Sequence, residues 1–445
     1  DSRSQKGGPI YIREEDTTII QQKEFLKAAK NKNAPVVWKS HFWGSWRDNR
    51  LLSRLNELRK LEDLVGKPDS GKRLIFGRGG EPYRQSDAEK DTNPYYPWWD
   101  KNLKFISSLN ESFLIVNPTS MTPIPEEFQK LRRSPDRRLF ENPKILISRD
   151  AKKVSYCNQP VYFSDSIQSI ASLDIEDSNL LRFLTLVLNS KFAQYYLFHT
   201  STRWAIERDV VYLHEIYKMP FVLPEDSFSP KRTNEIVAEV AKKLENYNKY
   251  LEQLTWFEEE QKRRDESIKI QSELEPLIRE YYNIDEYESM VIDDTLELAV
   301  KSFHPRQNQQ NIPTLREPDK IECETYAETL CEMLNHFGKG SKFKVKGEVF
   351  RGLPYSVVQV SLTDKVSKSV PVTSARDKLE SVLQRMESSL RETEDRFVFC
   401  QNLKVFDGDS LYILKPMQMR FWSRTTALND ADDIAGYILQ TRRNS

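Results

Sequence analysis

Asp177-Ser-Asn-Leu-Leu-Arg-Phe-Leu-Thr-Leu-Val-Leu-Asn-Ser-Lys-Phe-Ala-Gln-Tyr-Tyr196 decides how the middle of this chain is read. A Ser or Asn cap opens the stretch and its apolar residues recur at helical spacing, which predicts one helix. On both sides of it, from about 66 to 225, the sequence breaks into short apolar runs: RLIFG, KFISSL, FLIVNP, KILISRD and VYFS. Pro, Gly, Asn and Ser separate these runs, so they read as strands with long irregular connections. A mixed, β-rich domain over 66–228 is expected, with one long helix inside it.

Outward from that domain the period changes. In the leading segment 1–65, IIQQKEFLKAAKN predicts a short amphipathic helix, PVVWKSHFW a strand, and RDNRLLSRLNELRKLEDL a helix again, joined at Gly44-Ser45-Trp46. Residues 229–282 begin with Ser-Pro and place Ile236, Val240, Leu244, Tyr247, Leu251 and Leu254 at helical spacing, so 229–304 is expected to form a helical arm. HPRQNQQNIPTLREPDK is polar and periodless, and 305–318 reads as a linker. Residues 319–445 then alternate: a helix (CETYAETLCEMLNHF), two strands (SKFKVKGEVF, YSVVQVSL), a helix (SARDKLESVLQRMESSLR), a strand pair around Asp407-Gly408, and a final helix (DADDIAGYILQT). The predicted class is multidomain α+β: a mixed β-rich domain, a long helical arm and a smaller α+β C-terminal domain.

Composition limits the function classes. A chain of 445 residues with 38% hydrophobic and 30% charged residues is a globular polypeptide of two or three domains, and no run approaches the 18 apolar residues of a membrane span. DSRSQKGGPI carries neither an initiator Met nor an apolar signal region, so a cytoplasmic fragment with no membrane partner is expected. Cys157, Cys323, Cys331 and Cys400 lack CxxC spacing, and the five histidines form no HExxH, which argues against disulfides and a metal site.

Basic and acidic residues balance at 67 each, but not evenly along the chain. The first 230 residues carry a net +5, 231–300 a net −8, and the remainder +3. The densest basic cluster is Lys130-Leu-Arg-Arg-Ser-Pro-Asp-Arg-Arg138, where Ser134-Pro135 prevents a regular helix face. Lys130, Arg132, Arg133, Arg137 and Arg138 suit a loop facing phosphates, and the same density also suits a solvated loop. Basic and aromatic residues also interleave at Trp38-Lys39, Trp43 to Arg47, Tyr83-Arg84, Trp98 to Lys101, Arg203-Trp204 and Arg420 to Arg424. Base-stacking surfaces use this combination, as do cation–π pairs in ordinary cores. Arg78, Arg84, Arg149 and Arg203 join the loop as DNA-binding candidates.

Three motifs invite a catalytic reading and lack its chemistry. Asn93-Pro94-Tyr95-Tyr96 resembles the NPPY tetrad of amino-methylating DNA methyltransferases, but Tyr95 stands where the second Pro would shape the turn. Gly77-Arg-Gly-Gly80 follows a strand but opens no helix, so it is weak as a cofactor loop. Asp430, Asp432 and Asp433, like Asp319 and Glu322, lack the spacing of a Mg²⁺ site; the Asp430 group is expected to cap the start of the final helix.

Trp38-Lys-Ser-His-Phe-Trp-Gly-Ser-Trp-Arg-Asp48 with the following LLSRL resembles the segment after the catalytic domain in large adenine-specific (N-6) DNA methyltransferases of restriction-modification and phage-defence systems. Lys144-Ile-Leu-Ile-Ser-Arg149, then Leu188-Asn-Ser-Lys191, then Lys218-Met-Pro-Phe-Val-Leu-Pro224 looks like the order in TaqI-like specificity domains. Leu277 to Glu288 is similar to the helix-turn that follows such a domain, and Leu411 to Pro416, Arg420 to Trp422 and Ala427 to Asp433 to the tail of the same proteins. The methyltransferase domain itself is absent. The resemblance therefore implies a C-terminal target-recognition portion that binds double-stranded DNA, with the missing catalytic domain as its other partner. It implies S-adenosylmethionine as cofactor of the parent enzyme and none for this chain, which is not expected to be catalytic alone. The alternative is a protein-interaction or scaffold module docking through the acidic arm and the aromatic patches.

Overall fold

The computed structural model describes residues 20–30, 34–84, 93–97, 103–110, 112–141, 143–204, 211–253, 259–303, 312–340, 344–364, 369–374, 376–391 and 403–444. Trp98 to Lys101, Leu254, Cys400 and 305–311 lie outside these residues. The chain divides into two compact units between Asp285 and Glu286. Helix Glu259–Tyr281 ends just before Asn283, whose φ of 50° is left-handed, and helix Glu286–Asp294 then begins in the second unit, continuing as a π-helical turn over Thr295–Val300. The division thus falls inside the 229–304 stretch rather than at 305–318.

In the first unit, among the described residues, short helices Gln22–Lys30, Ala34–Phe42, Trp46–Glu57 and Leu61–Leu64 lead into nine strands. These are β1 (Val65–Gly66), β2 (Leu74–Arg78), β3 (Lys104–Ile106), β4 (Leu114–Ile115), β5 (Thr122–Pro123), β6 (Lys144–Ser148), β7 (Val154–Cys157), β8 (Val161–Phe163) and β9 (Ile167–Ser172). A six-stranded sheet runs β1-β2-β9-β6-β7-β4 and a three-stranded sheet β5-β3-β8. An aromatic core of Phe105, Phe128, Phe140, Tyr162 and Phe163 joins residues of both sheets. β6 and β8 are buried on both faces, which is why KILIS and VYF read as continuous apolar runs, whereas β7 (VSYC) and β9 (IQSIAS) are as deeply buried although polar residues interrupt them.

Two sequence expectations are corrected here. PVVWKSHFW forms helix Ala34–Phe42, not a strand. The weak β preference of Val36-Val37 yields to tertiary packing, because the helix sets Lys39 and Ser40 inside the unit. The stretch Asp177–Tyr196 is not one helix but two, Ser178–Asn189 and Lys191–Thr200, broken at Ser190. Ser190 is extended (ψ 162°), its hydroxyl donating to the Val187 carbonyl at 2.6 Å and accepting from the Ala193 amide at 3.1 Å. Serine competing for backbone groups ends one helix and caps the next.

Helix Ser178–Asn189 lies against β6 and β7, and helix Pro230–Gln253 packs on it. Pro230–Gln253 runs beside Glu259–Tyr281, tied by Lys243–Glu273 (2.6 Å) and Arg232–Glu280 (2.6 Å). Part of the arm's acidic charge is therefore answered within the arm.

The second unit is a five-stranded sheet, order β12-β10-β11-β14-β13, built from β10 (Lys344–Phe350), β11 (Tyr355–Thr363), β12 (Val372–Thr373), β13 (Leu403–Asp407) and β14 (Ser410–Pro416). Side chains alternate between faces. Val358, Val360, Leu411 and Ile413 meet helices Lys320–Phe337 and Arg424–Asn444, whereas Val357, Tyr412 and Leu414 meet helix Arg376–Arg391. Asp430 corrects another expectation: the last helix begins at Arg424, so Asp430 lies inside it, buried, and does not cap it. It pairs with Lys415 Nζ at 2.6 Å and accepts from the Tyr326 hydroxyl at 2.6 Å. The chain is multidomain α+β, and among the described residues no helix is long and apolar enough to cross a membrane.

Candidate nucleic-acid interface

The basic loop is fixed to the first unit through its backbone. Leu131 is fully buried; its amide and carbonyl pair with those of Tyr95, the Arg132 amide donates to the Glu81 carbonyl, and the Tyr83 amide to that of Lys130. The side chains of Lys130 and the four arginines are left at the surface, and each arginine meets a carboxylate. Arg132 reaches Glu81 at 2.9 Å and Arg133 the same residue at 3.6 Å. Arg137 pairs with Glu141, and Arg138 with both Asp136 (2.7 Å) and Asp69 (2.9 Å). The hydrogen bonds from Arg138 hold the Asp136 carboxyl below its ordinary value. Exposed pairs of this kind contribute about 0–1 kcal/mol, so a phosphate can displace the carboxylates.

Arg78 and Arg149 sit differently. Arg78 closes β2 opposite Gln168 of β9, and Gln168 is opposite Ile147 of β6, so Arg149, just past β6, emerges at the same end of the sheet. Two strand spacings, about 10 Å, separate the two strands that carry them. Both are exposed, and among the described residues neither has a carboxylate partner. A cleft of about 450 Å³ beside Arg78 is also lined by Lys67, Arg133 and Asp136, so the loop and the sheet end share one wall. The β6–β7 turn also borders a cavity of about 530 Å³, lined by Asp150, Lys152, Lys153, Phe113, Trp204 and Arg264. Sequence reading did not single out Lys67, Lys152, Lys153 or Arg264; only strand register could have gathered them.

Of the other candidates, Arg203 lies over the Tyr212 ring at 5.2 Å, and Arg84 is exposed just after Tyr83. The motifs with a catalytic look are structural. The Gly79 and Gly80 amides donate to the Ile167 and Phe163 carbonyls, so they do not cradle an anion. A Cβ at Gly80 would overlap the Tyr162 hydroxyl, and one at Gly79 the carbonyls of Phe163 and Ser164. Tyr95 is pinned to Leu131, and Asp319 with Glu322 forms a capping box (2.8 Å each way) at the start of Lys320–Phe337. Among the described residues no three His, Cys, Asp or Glu side chains are grouped to hold a metal ion.

Trp38 to Asp48 proves to be a docking device. Lys39 Nζ donates to the carbonyls of Phe198 (2.8 Å) and Trp204 (2.6 Å), closing the end of helix Lys191–Thr200, and burial pushes its ammonium down to about 8. Ser45 and Asp48 form a capping box, and the buried Asp48 also accepts from the Tyr195 hydroxyl at 2.9 Å and faces His199 at 3.5 Å. At the opposite end of that helix, Phe192 stacks on Tyr282 at 4.0 Å. Tyr281 and Tyr282 donate to the Val222 and Pro220 carbonyls (2.6 and 3.0 Å), so segments far apart in sequence meet around one helix.

No protein family matches this sequence, and none of the curated proteins compared with it does. Among solved structures, one match is the HsdS subunit from Thermoanaerobacter tengcongensis, at 11% identity and a TM-score of 0.21. That alignment covers 59% of this chain and 56% of the other, so the chain spans little more than half the length of that subunit.

Proposed function

We propose that Lys23–Asp285 is a recognition module for double-stranded DNA, in the manner implied by the resemblance to adenine-specific methyltransferases. Under this reading S-adenosylmethionine and methyl transfer belong to a separate catalytic domain, the module's protein partner, and this chain supplies recognition alone. The observation that carries it is the shared sheet end of Arg78 and Arg149, two exposed cations that meet no carboxylate among the described residues, flanked by the Arg132 to Arg138 loop. Phosphate contacts position such a surface and base-edge contacts specify the sequence. Titration of the chain with duplex DNA at several salt concentrations tests it. Binding should weaken steeply with salt, and Arg78→Ala/Arg149→Ala should flatten the slope by about 0.9 for each phosphate that is no longer neutralised. A salt-independent isotherm, or a double variant indistinguishable from the native chain, refutes the assignment.

A further inference from the structure

Helices Ala34–Phe42 and Trp46–Glu57 carry a second surface that the proposed DNA rim does not use. Phe25, Trp38, Phe42 and Trp43 form a continuous row of rings with successive centroid steps of 5.3, 5.6 and 6.1 Å. Trp38, Phe42, Trp43 and Trp46 are exposed by 44–64%. The Arg47 guanidinium lies over the Trp46 ring at 4.8 Å, and Arg50, exposed, follows one helical turn later. Among the side chains described from 20 to 56, the sole carboxylate is Asp48, which is buried and hydrogen-bonded inward. Helix Gln22–Lys30 turns Phe25 toward Trp38 and leaves Lys23, Lys27 and Lys30 exposed.

We propose that this face is a binding site for single-stranded nucleic acid, the exposed rings stacking on unpaired bases and the surrounding arginines and lysines meeting the phosphates. Every base offers a π-face, and a cationic surface interleaved with aromatic rings is what an unpaired strand requires. Charge complementarity selects this occupant: Lys23, Lys27, Lys30, Arg47 and Arg50 surround the rings, and the exposed described carboxylate on these helices, Glu57, lies at the far end of Trp46–Glu57. A lipid surface fits less well, because helix Gln22–Lys30 turns its Phe onto Trp38 and presents Lys23, Lys27 and Lys30 beside a single large exposed apolar side chain, Leu26, where an interfacial helix turns out a whole apolar face.

The test is a fluorescence titration of the full chain with a 12-nucleotide oligothymidine, which forms no duplex. Saturable, salt-dependent binding is expected. Trp43→Ala/Trp46→Ala should weaken it about 5- to 150-fold for each base that no longer stacks, Trp43→Phe/Trp46→Phe should retain most of the affinity, and Arg50→Ala should flatten the salt slope by about 0.7. Circular dichroism confirms that each variant is folded. No binding, or equal binding by the Ala variant, overturns the proposal. So does preferential binding to phosphatidylglycerol vesicles, or self-association in sedimentation, that the same Ala substitutions abolish. The site does not depend on the duplex reading: loss of duplex binding with oligothymidine binding intact would remove that reading and leave this one standing.

Discussion

Asp430→Ala tests the most consequential departure of the structure from the sequence. Lys415 is 1% exposed and its ammonium is held by Asp430 at 2.6 Å, above the Tyr326 ring at 4.6 Å. Burial alone pushes the Asp430 carboxyl up; attraction to Lys415 and the hydrogen bonds from Lys415 and Tyr326 outweigh it, leaving the carboxyl below its ordinary value. Removing one member of a buried pair strands the other, at a cost of about 3–5 kcal/mol. Because every 1.4 kcal/mol is a factor of ten, opening of this unit should become roughly 100- to 4,000-fold more frequent. Native-state hydrogen exchange read by mass spectrometry on peptides covering 320–337 and 410–434 measures it, and avoids assuming that a two-unit chain unfolds in one step. The triple replacement Lys415→Met/Asp430→Leu/Tyr326→Phe removes the fully buried members, leaves Lys404 (3.5 Å from Asp430) its other partner Asp433 at 3.2 Å, and should return exchange to near native. The sign with pH follows: a depressed carboxyl contributes its stability above the unfolded value, about 3.9, and loses it as pH falls through the lower native value. The gap between native and Asp430→Ala protection should therefore close in acid. Exchange in Asp430→Ala within threefold of native, or a triple variant as labile as the single, refutes the reasoning.

Glu81→Gln should free Arg132 and Arg133 of their shared carboxylate, so duplex affinity should rise and its salt dependence steepen; mobility shifts at two salt concentrations check this, and no change would mean that the loop does not face DNA. Gly79→Ala would press a Cβ into two backbone carbonyls and should cost at least about 1–3 kcal/mol, read as a lowered thermal midpoint; an unchanged midpoint would show that the turn relaxes freely.

Features set by near neighbours were legible in the sequence alone. The helical character of 229–282 follows from its spacing, though not its division into Pro230–Gln253 and Glu259–Tyr281; the strands SKFKVKGEVF and YSVVQVSL were legible, as was the strand pair around Asp407-Gly408, where Gly408 takes φ 54°. The α+β class follows from those elements. Features that depend on remote partners were not legible. Ala34–Phe42 is helical because Lys39 closes a helix some 160 positions later in the chain. Asp430 lies in a core because Lys415 and Tyr326 meet it there. The basic loop reads as a cluster of positive charge, yet Glu81 and Asp69 answer it from two other stretches of chain, besides Asp136 in its own turn and Glu141 one helical turn on. Arg78 and Arg149, separated by 71 positions, share a sheet end only through the register of β2, β9 and β6. Periodicity and turn chemistry act over a few residues and so are written locally. Strand register and the pairing of buried charge are settled by which distant segments exclude water together, and only the folded chain decides that.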